Sequence, residues 1–399
     1  MVGWRRDGRV GEFGRTIMRV GVSGTFWSME ATGSGQYVRH LLTALASSMS
    51  PDECTLFFPS YLAQPPTAGV PWPVSLLSSP FDGHHRKLAK VWFEQVAYPR
   101  ACRRAGVHIA HVPYFAPPLF PTVPTVVTIH DLIPLILPEY RAARCWRGYM
   151  RLVSTAARRA ALVLTDSKAS ARDIRRLLGI PSERIRVIYL ASHPMYRPLA
   201  ESARQPVLER LQLPPRYLLY LGGFDRRKNV IALLRAFARA RGELGEVSLV
   251  IAGRLPREDS AFAPDPRKES ARPGLGDAVC YTGWVEEGDK PALYAGALAF
   301  VFPSLYEGFG LPVLESISCG TPVIVGQGSS LEEVAGPGGL AVPPGDVGRL
   351  ADALVRLVSS PQLRERLSLG GLEHASRFSW RETARRTLAA YRWVLRTSR

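Results

Sequence analysis

Residues 303–326, PSLYEGFGLPVLESISCGTPVIVG, form the stretch best equipped for chemistry. An apolar run ends at Phe302, a glycine-bearing loop covers Glu307 to Gly310, Pro312 suits the first turn of a helix, Gly320 suits its stop, and TPVIVG is a further strand. This leaves the backbone amides of Gly308, Phe309, Gly310 and Leu311 at a helix N-terminus, where unpaired N–H groups and the helix dipole favour an anion such as a diphosphate. Glu307 and Glu315 flank that point. Carboxylates suit phosphate poorly, but they accept hydrogen bonds from sugar hydroxyls. A second loop, LGGFDRRKNV at 221–230, closes a strand with Gly222 and Gly223, supplies Arg226, Arg227 and Lys228 as cations for a diphosphate, and offers Asn229 as cap of the next helix.

The amino-terminal half has two further groups. VTIHDLIPL places His130 and Asp131 at the end of an apolar strand, and GVSGTFWSMEATGSGQYVRHLL gives a strand followed by Gly33, Ser34 and Gly35 opening a helix. No Gly-Lys-Ser/Thr follows, so this is not a phosphate-binding Walker loop. A G-x-S-x-G elbow is absent, which removes the basis for a serine hydrolase. His84–His85 and His108/His111 lack Cys or carboxylate partners at ligand spacing, so no metal site is expected.

These groups need elements that aim them at one place. From Met18, short apolar runs (RVGVSG, CTLFFPS, VHIAHVP, PTVVTIHD, ALVLTDS) alternate with helical stretches, and a second series (YLLYLGG, VSLVIAG, AVCYTGW, LAFVFPS, TPVIVG, GLAVPP) follows a Pro-rich stretch at 188–206 that reads as a linker. Alternation of this kind predicts α/β architecture with parallel sheets covered by helices on both faces. The expected division is a polar tail at 1–17, doubly wound domains at 18–197 and 198–378, and a terminal amphipathic helix within 379–399. Met18 is an alternative start. Ligands of such sheets bind beyond the carboxyl ends of the strands, so two domains in tandem would share a central cleft.

Length and composition agree. The 399 residues include 46% hydrophobic and 21% charged, which excludes disorder and fibrous repeats. Five dispersed cysteines without a C-x-x-C pair suit reduced thiols in the cytoplasm, and no apolar run is long enough to span a membrane. The net charge of +17 raises an acidic partner. Only six of the 51 basic residues are lysine, which points partly to an arginine-biased genome. The excess also gathers in 141–186, with 12 basic and three acidic residues. On a helix there, Arg144, Arg147, Arg151 and Arg158 share one side and Trp146, Tyr149, Met150, Leu152 and Val153 the other, a pattern suited to anionic lipid or a lipid-diphosphate acceptor.

EGFGLPVLE, followed by CGTPVIV, together with GGFDRRKN, TGWV at 282–285 and TIHDLIP, resembles the retaining glycosyltransferases of family four, from Met18 to about Trp393. The wording of TIHDLIPL and GGFDRRKN is most similar to the branch of bacterial surface-polysaccharide mannosyltransferases, which commonly use GDP-mannose. The resemblance implies the GT-B fold, two Rossmann-like domains facing a cleft, with the terminal helix crossing back onto the first domain. It implies that Glu315 binds the donor ribose, that Glu307 with the backbone of Gly308 to Leu311 holds the sugar and diphosphate, and that Arg227 and Lys228 take the leaving diphosphate. Trp284 and Val285 would lie beside the nucleobase, and His130 would face the anomeric centre. Gly33, Ser34 and Gly35 would close from the first domain. Many members have Arg where Gly223 stands, which leaves the division of labour among Arg226, Arg227 and Lys228 open.

The expectation is therefore a cytoplasmic hexosyltransferase, peripheral at the inner membrane face if the basic helix meets lipid. It would need no metal or other cofactor, take a nucleotide-sugar donor with a glycan or lipid-linked acceptor, and bind no nucleic acid. UDP- or ADP-glucose donors, a nucleotide-sugar epimerase or phosphorylase of the same fold, and a basic nucleic-acid-binding protein are the alternatives. The last lacks an aromatic-basic recognition motif.

Overall fold

The runs of β-branched and aliphatic residues assemble into two all-parallel sheets. In the first, β1 (Val20–Ser23), β2 (Cys54–Pro59), β3 (Val74–Leu77), β4 (Ile109–Val112), β5 (Thr125–Thr128), β6 (Leu162–Thr165) and β7 (Ile185–Val187) lie in the order β3-β2-β1-β4-β5-β6-β7. In the second, β8 (Tyr217–Leu221), β9 (Ser248–Ala252), β10 (Val279–Gly283), β11 (Ala299–Phe302), β12 (Val323–Gly326) and β13 (Gly339–Val342) lie in the order β10-β9-β8-β11-β12-β13. This computed structural model describes residues 18–29, 32–62, 69–140, 144–272 and 275–398, so the expected polar tail and the Arg144 side chain lie outside the described residues.

Both orders reverse direction once, between β1 and β4 and between β8 and β11. At such a switch point the neighbouring crossover helices lie on opposite faces and a crevice opens beyond the strand ends. The central strands are buried throughout, which explains their continuous apolar wording. The edge strand β3 is different: Val74 and Leu76 are exposed, and the preceding PWP punctuation hid it among turn signals. The linker expectation needs a correction. Residues 188–200 are irregular, but Glu201–Arg210 is a helix that accommodates Pro206.

The helix Gly33–Ala46 begins where Thr32 accepts the Gly35 N–H at 3.1 Å, and it buries Tyr37, Val38, Leu41, Leu42 and Leu45 at helical spacing. Against it packs the last helix, Trp380–Thr397, whose buried face includes Thr383, Thr387, Leu388, Tyr391 and Val394. Residues from the end of the chain therefore help to build the first domain. Tyr391 bonds His111 Nδ1 at 2.7 Å, His111 Nε2 bonds the Thr128 hydroxyl at 2.9 Å, and that hydroxyl bonds Tyr37 at 3.0 Å. Burial pushes His111 down to about 3, so the ring is neutral and its two nitrogens divide into one donor and one acceptor.

Tyr391→Phe leaves a buried ring nitrogen of His111 unpaired and is expected to destabilise the fold by about 1–3 kcal/mol in chemical denaturation. An unchanged midpoint and slope would show that this chain of bonds contributes nothing.

Candidate active site

A cleft of about 530 Å³ opens between the carboxyl ends of the two sheets. The first domain contributes Gly33 and Ser34 from its first helix, His130 and Asp131 after β5, and Asp166 after β6. The second contributes Gly222, Gly223 and Lys228 after β8, Arg254 after β9, and Trp284 and Val285 after β10. The loop after β11 adds Glu307 to Leu311, and Glu315 follows from the helix Leu311–Ser318. Gly310 precedes that helix at φ 102°, a conformation for which glycine is suited, and the free amide end of the helix meets the cleft.

The cations of the β8 loop converge on one carboxylate. Lys228 Nζ lies 2.7 Å and Arg227 Nη1 2.5 Å from Glu307 Oε1. Burial pushes the Glu307 carboxyl up, but the charges of Lys228 and Arg227 outweigh it and hold the group below the usual range, so it is an anion at neutral pH. Lys228 also sits 4.7 Å from the centre of the Phe302 ring. Lys228 and Glu307 line the cleft; Arg227 does not, because it reaches behind Glu307 to the Tyr306 carbonyl at 3.0 Å and the Tyr140 hydroxyl at 3.3 Å. Arg226 begins the single turn Arg226–Lys228, its own N–H bonded to the Phe262 carbonyl.

Asn229 departs from expectation. It adopts φ 59°, its side chain caps no helix, and Nδ2 donates to the Pro303 carbonyl at 3.2 Å. Gly35 is likewise not a cleft residue: a Cβ there would come within 2.0 Å of the Met29 carbonyl, so the glycine serves close backbone packing.

Glu315 is buried and accepts the Tyr294 hydroxyl at 2.9 Å. Burial pushes its carboxyl up to about 7, opposed by the charge of Lys290 and the Tyr294 bond. Once ionised, a carboxylate so placed accepts hydrogen bonds from hydroxyl groups. Across the cleft, His130 Nδ1 lies 2.6 Å from Asp166 Oδ2, and its Nε2 lies 3.2 Å from the Pro113 carbonyl. Burial pushes the ring down, but Asp166's charge and hydrogen bond outweigh it and raise His130 overall. Asp131 accepts the Ile133 N–H at 2.9 Å.

The two walls touch. Ser170 Oγ donates to the carbonyls of His130 (2.9 Å) and Gly308 (3.2 Å), and the Glu333 carboxylate accepts the N–H groups of Lys168 and Ala169 at 3.2 and 3.1 Å. The Tyr306 hydroxyl donates to Asp173, and the Tyr140 hydroxyl to Asp225.

Three charged cleft residues carry no role in the sequence reading. Arg254, Asp166 and Lys290 all line it, with Arg254 held 5.2 Å over the Trp284 ring. The signal was present for two: Asp166 follows a strand directly in LVLTD, and Arg254 follows one after a single glycine in VIAGR. Lys290 has no such mark, since only the fold carries its helix beside Glu315.

Arg147, Arg151 and Arg158 of the helix Arg144–Arg159 sit apart, around a second groove of about 440 Å³. All three are exposed and line it, while Met150 and Val153 are buried in the core of the first domain, and Trp146 and Met150 also reach the groove. Arg158 is also tethered, its Nε donating to the Leu178 carbonyl at 2.7 Å. Among the described residues, no helix is long and apolar enough to cross a membrane, and no cluster of three or more His, Cys, Asp or Glu could hold a metal.

Comparison with known proteins places this geometry. Residues 31–191 match Glycosyltransferase Family 4, and residues 205–373 match Glycosyl transferases group 1. The chain is 32% identical over 375 residues to O-antigen chain mannosyltransferase B of Escherichia coli, spanning 90% of this chain and 96% of that protein. It is 32% identical over 282 residues to the MMP alpha-(1->4)-mannosyltransferase of Mycolicibacterium hassiacum, spanning 67% and 65%. Among solved structures, sucrose-phosphate synthase from Thermosynechococcus elongatus superposes with a TM-score of 0.74 at 22% identity, covering 95% of this chain and 100% of that one. WaaG, a glycosyltransferase involved in lipopolysaccharide biosynthesis, does so with 0.66 at 15% identity, covering 92% and 98%. Similarity of sequence along nine-tenths of the chain, and of fold in both domains, means that this protein belongs to glycosyltransferase family four and is a retaining glycosyltransferase of the GT-B fold.

Proposed function

We propose that the enzyme transfers mannose from GDP-mannose to a glycan or lipid-linked acceptor during surface-polysaccharide or glycolipid assembly. The observation that carries the reading is the Lys228–Glu307–Arg227 cluster beside a helix N-terminus, in a chain whose relatives over most of its length are named mannosyltransferases. In this reading the donor diphosphate lies against Lys228 and the amides of Gly308 to Leu311, with Gly222 and Gly223 allowing close approach. Glu315 accepts the ribose hydroxyls, Trp284 and Val285 flank the base, and His130 faces the sugar.

The chemistry follows from where charge appears. As the glycosidic bond breaks, the diphosphate gains negative charge and the sugar becomes oxocarbenium-like. Lys228 and the helix N-terminus are fixed in advance to stabilise the first, and the Glu307 carboxylate stands on the side of the second. The proposal assigns charge compensation to these groups and none to a metal ion. Retention then comes from attack by the acceptor hydroxyl on the face the diphosphate is leaving. Contact between the two domains keeps water from competing.

The donor test is a thermal-shift screen against GDP-, UDP-, ADP- and TDP-sugars, in which GDP-mannose is expected to give the largest stabilisation; a shift confined to another base would replace the donor assignment. Lys228→Ala removes one charge-assisted contact and should lower kcat/KM by about 10- to 100-fold, whereas full activity would overturn the placement of the diphosphate. Because Glu315 ionises near pH 7 in the free protein, GDP affinity measured calorimetrically should rise from about pH 6 to about pH 8 and the rise should vanish in Glu315→Gln. An unaltered slope in that variant would remove Glu315 from ribose binding.

The groove bearing Arg147 and Arg151 is proposed to meet anionic lipid head groups or the acceptor diphosphate. Each arginine near such a surface contributes about 1 kcal/mol. Arg147→Ala/Arg151→Ala is expected to lose binding to phosphatidylglycerol vesicles in sedimentation assays while still binding GDP, and retention of vesicle binding would reduce the charge to genome bias.

A further inference from the structure

His130 is held at three points before any substrate arrives. Its Nδ1 lies 2.6 Å from the Asp166 carboxylate, its Nε2 3.2 Å from the Pro113 carbonyl, and its own carbonyl accepts the Ser170 hydroxyl at 2.9 Å. Asp166 and Ser170 belong to one short stretch, the turn from β6 into the helix Lys168–Leu178, where Ser167 caps the helix by accepting the Ser170 N–H at 3.0 Å. Glu333 of the second domain closes on the same turn through the Lys168 and Ala169 amides. Ring, main chain and turn are thus fixed together at the line where the domains meet.

A carbonyl can only accept, so Nε2 must carry hydrogen to bond Pro113. A carboxylate at 2.6 Å takes hydrogen from Nδ1 in the same way. With both nitrogens donating, the ring is an imidazolium paired to Asp166. The other groups around it agree. His111 on β4 is neutral, Tyr37 presents its ring to His130 edge-on at 4.9 Å without charge, and Asp131 next in the chain adds negative charge. Arg227 and Glu307 lie beyond Asp131 and compensate each other.

We propose that Asp166 is a positioning residue for glycosyl transfer, fixing the orientation and charge of His130 on the cleft wall opposite Lys228 and Glu307. This rests on the reading that the cleft holds the donor. Transfer needs the anomeric carbon within attack distance of the acceptor, and displacement of a wall group by a fraction of an ångström propagates into that geometry. Asp166 reaches no donor atom in this account; it acts through His130. Asp166→Asn preserves shape and can accept one N–H, but it supplies no charge to keep the second proton on the ring.

The experiment compares wild type, Asp166→Asn and Ser170→Ala by steady-state transfer across pH, with histidine side-chain NMR on the free protein. In wild type the His130 ring should hold its second proton to higher pH than an ordinary histidine, because the Asp166 charge and hydrogen bond outweigh burial. Asp166→Asn should lose about 10- to 100-fold in kcat with donor KM within about threefold, and its remaining activity should fall as pH rises past about 6.5. Ser170→Ala loosens the carbonyl and not the ring, so kcat should fall without that change in profile. A wild-type ring that deprotonates at or below about pH 6.5 overturns the proposal whatever the variants do. So does an Asp166→Asn enzyme with an unaltered pH profile, even if less stable, because a purely structural role predicts that result. Failure of wild type to bind GDP-mannose while the ring stays protonated would instead count against the donor assignment alone.

Discussion

A buried carboxylate between two cations governs the architecture of this enzyme. Glu307 is nearly enclosed, and an unpaired charge there would be costly, since breaking such a pair costs roughly 3–5 kcal/mol. Lys228 and Arg227 come from the loop after β8 and Glu307 from the loop after β11, with Lys228 and Glu307 79 residues apart in the chain. They meet because β8 and β11 are hydrogen-bonded neighbours in the sheet, with Ala299 opposite Leu218 and Phe300 opposite Leu219. The switch in strand order opens the crevice at that same place, so one topological feature both neutralises Glu307 and leaves Lys228 facing the cleft.

The same logic joins the domains. Side chains of each domain complete hydrogen bonds on the other: Ser170 and Tyr140 of the first donate to the Gly308 carbonyl and Asp225, and in the second Glu333 accepts from the amides beginning the helix Lys168–Leu178 and Tyr306 donates to Asp173. A β-carbon on Gly308 would sit 2.6 Å from the His130 carbonyl, so the walls are in contact at the point where transfer is proposed. The terminal helix braces the first wall from behind through Tyr391 and His111. Together these bonds make a preformed cleft, which is what stabilisation of a charged transition state requires.

Much of the fold was legible because parallel strands buried on both faces leave continuous apolar words, and because loops at their carboxyl ends carry the glycines and charges. RVGVSG, PTVVTIHD, YLLYLGG and LAFVFPS all correspond to strands whose ends frame the cleft. The words failed where burial failed. β3 is a half-exposed edge, and the helix around Pro206 carries no apolar period to announce it. In the cleft, glycines and charged loops stood out, whereas Lys290 looked ordinary until the fold brought its helix beside Glu315.

By itself the sequence determined the two sheets, the loops that end them and the kinds of group those loops present, since hydrophobic period and turn chemistry are local properties of the chain. Tertiary structure alone decided which groups act together. Arg227 supports Glu307 from behind while Lys228 faces the cleft, Gly35 packs against backbone, and Asp166 claims His130. Hydrogen bonds and ion pairs depend on distances of a few ångströms between residues dozens of positions apart, and no pattern along one dimension encodes them.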